Sequence, residues 1–315
     1  METYLTDLIQ RMLDKSDQDT VRISSDTISW KALREAEKIA NDRYIPQLID
    51  FIDNEKDKEK RGRAYFLLGH ITRNTQNATA TGYLISRIDK EKDKYVLSTL
   101  LDRIQYLDKP LNTDITPIIH ATRSNQWQIR DSAISALKGS KDPLAEDTLI
   151  DIIKDPGSKN GLWYVNSTLA NIGTRKSIPY LLALLDHKQQ DVSGTALNAI
   201  LAISDASDLP VFITQLEKGK NKFTALLGVI RYGNATVIPN VVKRIKELVS
   251  KKRPVYTVGA NGNTEIVYAM EFLSGFAATT AEPKQMFDLL TTKKQDLLWD
   301  SEKDWLAQNR DKFDK

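Results

Sequence analysis

One pattern recurs seven times along this chain and narrows what it can fold into. The segments 45–53 (IPQLIDFID), 81–89 (TGYLISRID), 115–123 (ITPIIHATR), 146–154 (EDTLIDIIK), 178–186 (IPYLLALLD), 209–217 (LPVFITQLE) and 238–246 (IPNVVKRIK) share one register. Their anchors fall at 48, 84, 118, 149, 181, 212 and 241, which are 36, 34, 31, 32, 31 and 29 residues apart. Taking each anchor with its +1 and +4 neighbours, twenty of twenty-one positions are hydrophobic, against 41% for the whole chain; Thr122 is the exception. That spacing is one stripe of an α-helix. Pro46, Pro179, Pro210 and Pro239 stand two residues before four of the anchors, where a first helical turn tolerates a missing N–H.

A second helical stripe follows at +16, +19, +20 and +23, as Ala64/Leu67/Leu68/Ile71, Val165/Thr168/Leu169/Ile172 and Leu197/Ile200/Leu201/Ser204. Gly139, Gly173 and Gly233 come just after such helices, where a left-handed residue is expected to end the last turn. Strand signals are nearly absent. The unit is therefore a helical hairpin of about 31 to 36 residues, repeated at least seven times. A capping hairpin is expected over 1–43, repeats over 44–283 and capping helices over 284–315, the last of them (302–311) capped by Ser301 with Asp304. No Gly/Ser/Pro-rich linker divides the chain, so 1–315 reads as a single repeat domain.

The hairpin length, the Ile-Pro-x-Leu openings and the second-helix run 127–137 (WQIRDSAISAL) resemble the HEAT and HEAT-like repeats. The local form Ile129-Arg130-x-x-Ala133-x-x-Ala136-Leu137 is similar to the second-helix signature of that class. The resemblance covers roughly residues 27–291. It implies an all-α solenoid of about seven to eight stacked HEAT-like hairpins with helical caps. Activity does not follow from it, because such solenoids serve scaffolds, inhibitors, lyases and DNA enzymes alike. Tetratricopeptide repeats have a similar length, but their aromatic and Gly–Tyr positions do not recur here.

Composition removes several chemistries. There is no Cys among 315 residues, which excludes disulfides, thiolate metal clusters and Cys nucleophiles. No apolar run approaches the roughly 18 residues of a membrane helix, and Glu2, Asp7, Arg11 and Asp14 interrupt any secretory signal at the N-terminus. A cytoplasmic protein is the expectation. Phosphate-cradle and nucleophile-elbow motifs are missing. The dinuclear-iron hydroxylases of the resembling class carry repeated His–Glu pairs, whereas His70, His120 and His187 lie in three repeats and never beside Glu. No metal, no cofactor and no catalytic residue is expected. HEAT-like DNA glycosylases use tryptophan, aspartate and arginine around a base. Trp127 and Asp131 are similar to part of that set, but the next repeat offers Trp163-Tyr164-Val165-Asn166 without the arginine.

Net charge is only +3, yet its distribution is uneven. Residues 1–53 carry a net −4, and residues 209–264 hold ten bases against two acids. The alternating runs 53–63 and 89–94 read as solvated turns. The segment 250–264 (SKKRPVYTVGANGNT) is an insertion, extended at Val255–Val258 and turning at Gly259–Gly262. Extended binding faces engage partners through aromatic and arginine anchors. The leading expectation is a non-enzymatic scaffold or inhibitor/immunity-type protein that binds another protein with its concave face. Its candidate anchors are Tyr65, Trp127, Arg130, Trp163, Tyr164 and Tyr232. The alternative is nucleic-acid binding through the basic region, with Lys243, Arg244, Lys251, Lys252, Arg253 and Tyr256 as candidates. Further behind stands an enzyme of the glycosylase or pigment-lyase sort.

Overall fold

The computed structural model describes residues 1–155 and 161–314. The chain is 67% helical, and among the described residues backbone pairing outside helices is confined to the isolated bridges Lys109–Ser140 and Val258–Thr264. It divides into two compact units, Met1–Tyr180 and Leu181–Lys315.

The first unit opens with α1 (Thr3–Leu13) and α2 (Ile28–Ala36). Hairpins follow: α3 (Tyr44–Asn54) with α4 (Lys58–Thr75), α5 (Ala78–Ser86) with α6 (Lys94–Ile104), α7 (Thr116–Ala121) with α8 (Trp127–Ala136), and α9 (Pro143–Lys154) with α10 (Leu162–Ile172). The second helices α4, α6, α8 and α10 pack in succession as one layer, each against its own first helix. A short α11 (Ile178–Leu182) lies at the division. In the second unit α12 (Gln190–Ile203), α14 (Lys222–Tyr232), α16 (Glu265–Ser274) and α18 (Asp300–Gln308) form one layer. The other layer is α13 (Leu209–Lys218), α15 (Ile238–Leu248) and α17 (Glu282–Asp288).

The repeat register is the core register. Leu48, Leu84, Ile118, Leu149, Leu181, Phe212 and Val241, the seven anchors, are all 0% exposed. Each such burial stabilises by about 1.5–3 kcal/mol. Thr122 is buried too, and its hydroxyl donates to the Ile119 carbonyl at 2.7 Å, so the polar exception is satisfied. Gly228, where other second helices carry a bulkier residue, lies under Phe212: a Cβ there would stand 2.2 Å from ring carbons. The ring fills the space the missing side chain leaves.

Of the three helix-ending glycines, Gly139 alone is left-handed (φ 74°). Gly173 and Gly233 are extended, at φ −67° and −80°, which corrects the sequence expectation. Their N–H groups bond back to Leu169 and Val229, both at 2.8 Å. Thr174 and Asn234 then accept from the N–H two residues on, and one 3₁₀ turn leads into Ile-Pro. Ser204 and Asp205 build the same corner without glycine, so the local hydrogen-bond pattern, not φ, sets it.

Two buried charges join neighbouring hairpins in the first unit. The 53–63 and 89–94 runs are not merely solvated: Arg61 clasps Glu91 through two bonds of 2.7 and 2.9 Å, and the Glu91 side chain is 2% exposed. Lys109 is fully buried, and its ammonium donates to the carbonyls of Ile104, Leu107 and Lys138 at 2.8, 2.6 and 2.6 Å. These carbonyls belong to the ends of α6 and α8, where helices leave acceptors unpaired. Burial pushes the Lys109 pKa down to about 7, against three acceptors that favour the charged form.

Candidate functional site

The six basic-loop candidates do not form one site. Lys243, Lys251 and Lys252 are exposed. Arg244 is consumed internally by Glu265, with bonds of 2.7 and 3.0 Å, and by Glu247 at 3.1 Å. Arg253 grips Glu302 at 2.8 and 2.5 Å, donates to the Leu297 carbonyl, and lies 3.8 Å over the Trp299 ring. The Glu302 side chain is 0% exposed. It also accepts from the Thr264 hydroxyl at 2.6 Å and the Trp299 N–H at 3.0 Å. That last bond caps α18, so the cap is Trp299 with Glu302 in place of the expected Ser301 with Asp304. Tyr256 is 53% exposed, but its hydroxyl pairs with Ser301 at 3.0 Å and its ring meets Trp299 edge-on at 4.7 Å. The 250–264 insertion is thus a strap tied to the C-terminal helix, and its one arginine, Arg253, like Arg244 on α15, is unavailable to a polyanion.

The aromatic candidates also separate. Tyr65 is 0% exposed, with Arg87 Nε 3.4 Å from its hydroxyl, so it is a core residue and cannot anchor a partner. Tyr232 donates to the Ser204 carbonyl at 2.7 Å and stacks on Phe212 with centroids 6.0 Å apart; it holds a corner together. Four candidates do lie on adjacent second helices of the first unit. Trp127 is 59% exposed at the start of α8. Trp163, 46% exposed, meets half-buried Tyr164 edge-on at 4.9 Å on α10. Arg130 bonds the Ser124 carbonyl and stands 3.5 Å from Asp131. Asp131 Oδ1 has no hydrogen-bond partner, and burial raises that carboxyl's pKa.

Sequence reasoning missed two members of the same layer, Tyr95 on α6 and Tyr106 just after it, exposed by 65% and 52%, and Trp30 on α2, which packs against α1, exposed by 41%. Their helical spacing on the polar stripes could have found them. It missed, too, a cationic cluster between α4 and α6. The Arg103 and Arg73 guanidiniums lie 5.5 and 5.4 Å from the Tyr106 centroid, and Arg103 also lies 5.1 Å over Phe66. Arg103 Nη1 donates to His70 Nε2 at 2.9 Å, which fixes the His70 proton on Nδ1. Burial first, then the charges of Arg103, Arg73 and Arg34, bring His70 down to about 4. Arg103 itself is pulled down by burial, and its Nε is buried without a hydrogen-bond partner. A depression of about 440 Å³ adjoins the cluster, and Thr72, Arg73, Gln76, Tyr106, Asp108 and Pro110 line it.

Among the described residues no three His, Asp or Glu side chains converge as a metal site, and no helix is long and apolar enough to cross a membrane. The layer offers contact area and fixed charges.

No family model matches the sequence, and no curated protein matches it. Among solved structures, Kap121p bound to Pho4p aligns over 98% of this chain and 37% of its own, at 15% identity and a TM-score of 0.51. A Kap121p mutant aligns over the same shares at 15% identity and 0.55. The complex of CpcE and CpcF of phycocyanin lyase from Nostoc sp. PCC7120 aligns over 81% of this chain and 94% of that chain, at 16% identity and 0.46. The chain spans little more than a third of Kap121p. Its fold is a HEAT-like helical solenoid, the architecture that the repeat spacing implies.

Proposed function

We propose that this chain is a non-enzymatic protein-binding module, a scaffold or inhibitor, whose contact surface is the second-helix layer of residues 1–180. One observation carries the reading: Tyr95, Tyr106, Trp127 and Trp163 are 46–65% exposed, and all stand on or beside helices of that layer. Large aromatics left in water on one face are the usual residues of interaction hot spots. The HEAT-like fold adds precedent, since Kap121p, a protein of that fold, is bound to Pho4p. The basic strap is the weaker candidate surface, because Arg244 and Arg253 already hold carboxylates.

The test is capture from the source organism with the full chain and with a Trp127→Ala/Trp163→Ala variant. Both substitutions remove exposed rings, so circular dichroism and the thermal midpoint should stay the same. A protein retained by the parent and lost by the variant is the expected result. The reading fails if retention is indifferent to both tryptophans. It fails also if the purified chain binds duplex or single-stranded nucleic acid tightly at about 0.1 M salt with a steep salt slope.

A further inference from the structure

Most arginines that reach between hairpins follow a rule. Arg61, Arg87, Arg244 and Arg253 each meet a carboxylate of another element, Glu91, Asp53, Glu265 and Glu302, at 2.5–2.7 Å. Removing such a charge from water without a partner is costly, so the pairing is what physics demands. Arg103 breaks the rule. It is half-buried, its one side-chain hydrogen bond goes to the neutral His70 ring, and its Nε has no acceptor. Asp102 and Glu37 lower its energy from a distance, but neither forms an ion pair with it. Arg73, on the next helix and over the same Tyr106 ring, is exposed and holds no acid. Arg34 is the third cation nearby and is already paired with Glu37 at 2.6 Å.

We infer that Arg73 and Arg103, framed by Tyr106 and Phe66, form the seat for a carboxylate side chain of an acidic peptide segment in the protein partner. The inference rests on the reading of this layer as a protein-binding surface and adds the chemistry of what binds there. Two guanidiniums beside one aromatic ring concentrate positive charge there, and each carries a planar fork of N–H donors of the kind carboxylates accept. A carboxylate would give the Arg103 guanidinium the countercharge it lacks. The adjoining depression of about 440 Å³ has room for the segment that delivers it. An extended polyanion fits the layer less well, because Glu59 on α4, Asp102 on α6 and Asp131 on α8 stand on the same layer without a basic partner that cancels them fully. A peptide can place its acid on the arginines and apolar groups on Trp127 and Trp163. With packed helix axes roughly 8–10 Å apart, α10 lies about 18 Å from α6. Arg103 near the end of α6 stands about 12 Å further along the axis than Trp163 at the start of α10, so the span is roughly 22 Å, about six or seven extended residues.

The probe is a fluorescein-labelled peptide of two adjacent glutamates flanked on each side by alanine and phenylalanine, measured by anisotropy on the full chain. A counterpart with lysines in place of the glutamates and a six-nucleotide dT strand serve as comparisons. Expected is saturable binding of the glutamate peptide, weakened at least tenfold by Arg73→Gln and by Arg103→Gln. Lys251→Ala/Lys252→Ala should leave it unaltered. Arg103 is half-buried and its loss could disturb folding, so Arg73→Glu, at an exposed position, is the second readout: it should abolish the glutamate signal and admit the lysine peptide. The inference is overturned if the glutamate peptide does not bind, if the dT strand binds more tightly, or if the Lys251/Lys252 variant weakens binding as much as the arginine variants. Should the partner captured above be lost with Trp127 and Trp163 yet held by Arg73→Glu, protein binding stands and the carboxylate seat falls.

Discussion

Replacing Arg253 by Leu should unfasten the C-terminal end of the second unit. In the native chain Glu302 is fully buried and receives two guanidinium bonds of 2.8 and 2.5 Å, besides the Thr264 hydroxyl and the Trp299 N–H. Without Arg253 the carboxylate keeps two neutral donors and no countercharge. Breaking a buried pair from one side typically costs about 3–5 kcal/mol. For a unit of about 135 residues that loss corresponds to a fall in Tm of roughly 10–20 °C. Urea unfolding followed by Trp299 and Trp305 fluorescence, with the other three tryptophans changed to Phe, reports on this unit alone. An Arg253→Leu/Glu302→Met double variant removes both charges. It should lose less than the two single variants together, with a coupling of about 2 kcal/mol or more. A single-variant loss below about 1 kcal/mol, or strict additivity, would refute the buried clasp as the fastening.

Gly228→Ala should destabilise the second unit by about 1–3 kcal/mol through overpacking against Phe212. Phe212→Leu in the same chain should relieve part of that loss, and an equal midpoint with and without it would show that the ring is not the obstacle. Lys109→Met leaves the Ile104, Leu107 and Lys138 carbonyls without their donor, each at roughly 1–3 kcal/mol; calorimetry of the first unit should show a lower midpoint, and no change would mean that water replaces the ammonium. His70 has a folded pKa of about 4 against an ordinary 6.5, so the unfolded chain binds more protons between those values and stability should fall as pH drops through that window. NMR of the His70 ring checks it: a midpoint near 6.5 would contradict the arginine field, and Arg103→Gln should raise the midpoint.

The hairpin repeat was legible because it is local. Seven anchors chosen by apolar spacing are all fully buried, since a helix has one inward stripe whatever its neighbour. The strap was legible as an interruption but not as a clasp, because Arg253 and Thr264 find Glu302 at 49 and 38 residues' separation. Counting charges over 209–264 failed for the same reason: the acids that cancel Arg244 and Arg253 lie at 265 and 302, outside the window. Tyr65 and Tyr232 were misjudged as surface anchors because an aromatic on a second helix can point to either layer, and the sequence between them does not say which. Trp127 and Trp163 are exposed, as their neighbours Ile129 and Val165 on the buried stripe imply.

A hairpin array turns charge into a question about the next repeat. Its second helices stack, so an arginine reaching sideways meets whatever the adjoining hairpin presents. Arg61 meets Glu91, 30 residues on, and Arg244 meets Glu265, 21 residues on. Such arginines are spent on stacking, and a basic count that includes them overstates what is left for a ligand. At Arg73 the adjoining hairpin supplies Arg103 and Tyr106 where the other pairs have an acid. Two cations beside one ring destabilise the stack slightly unless an anion arrives from outside. Arg73 and Arg103 are therefore a place where charge is left over from stacking, and they lie on the same layer as the exposed Tyr95, Trp127 and Trp163.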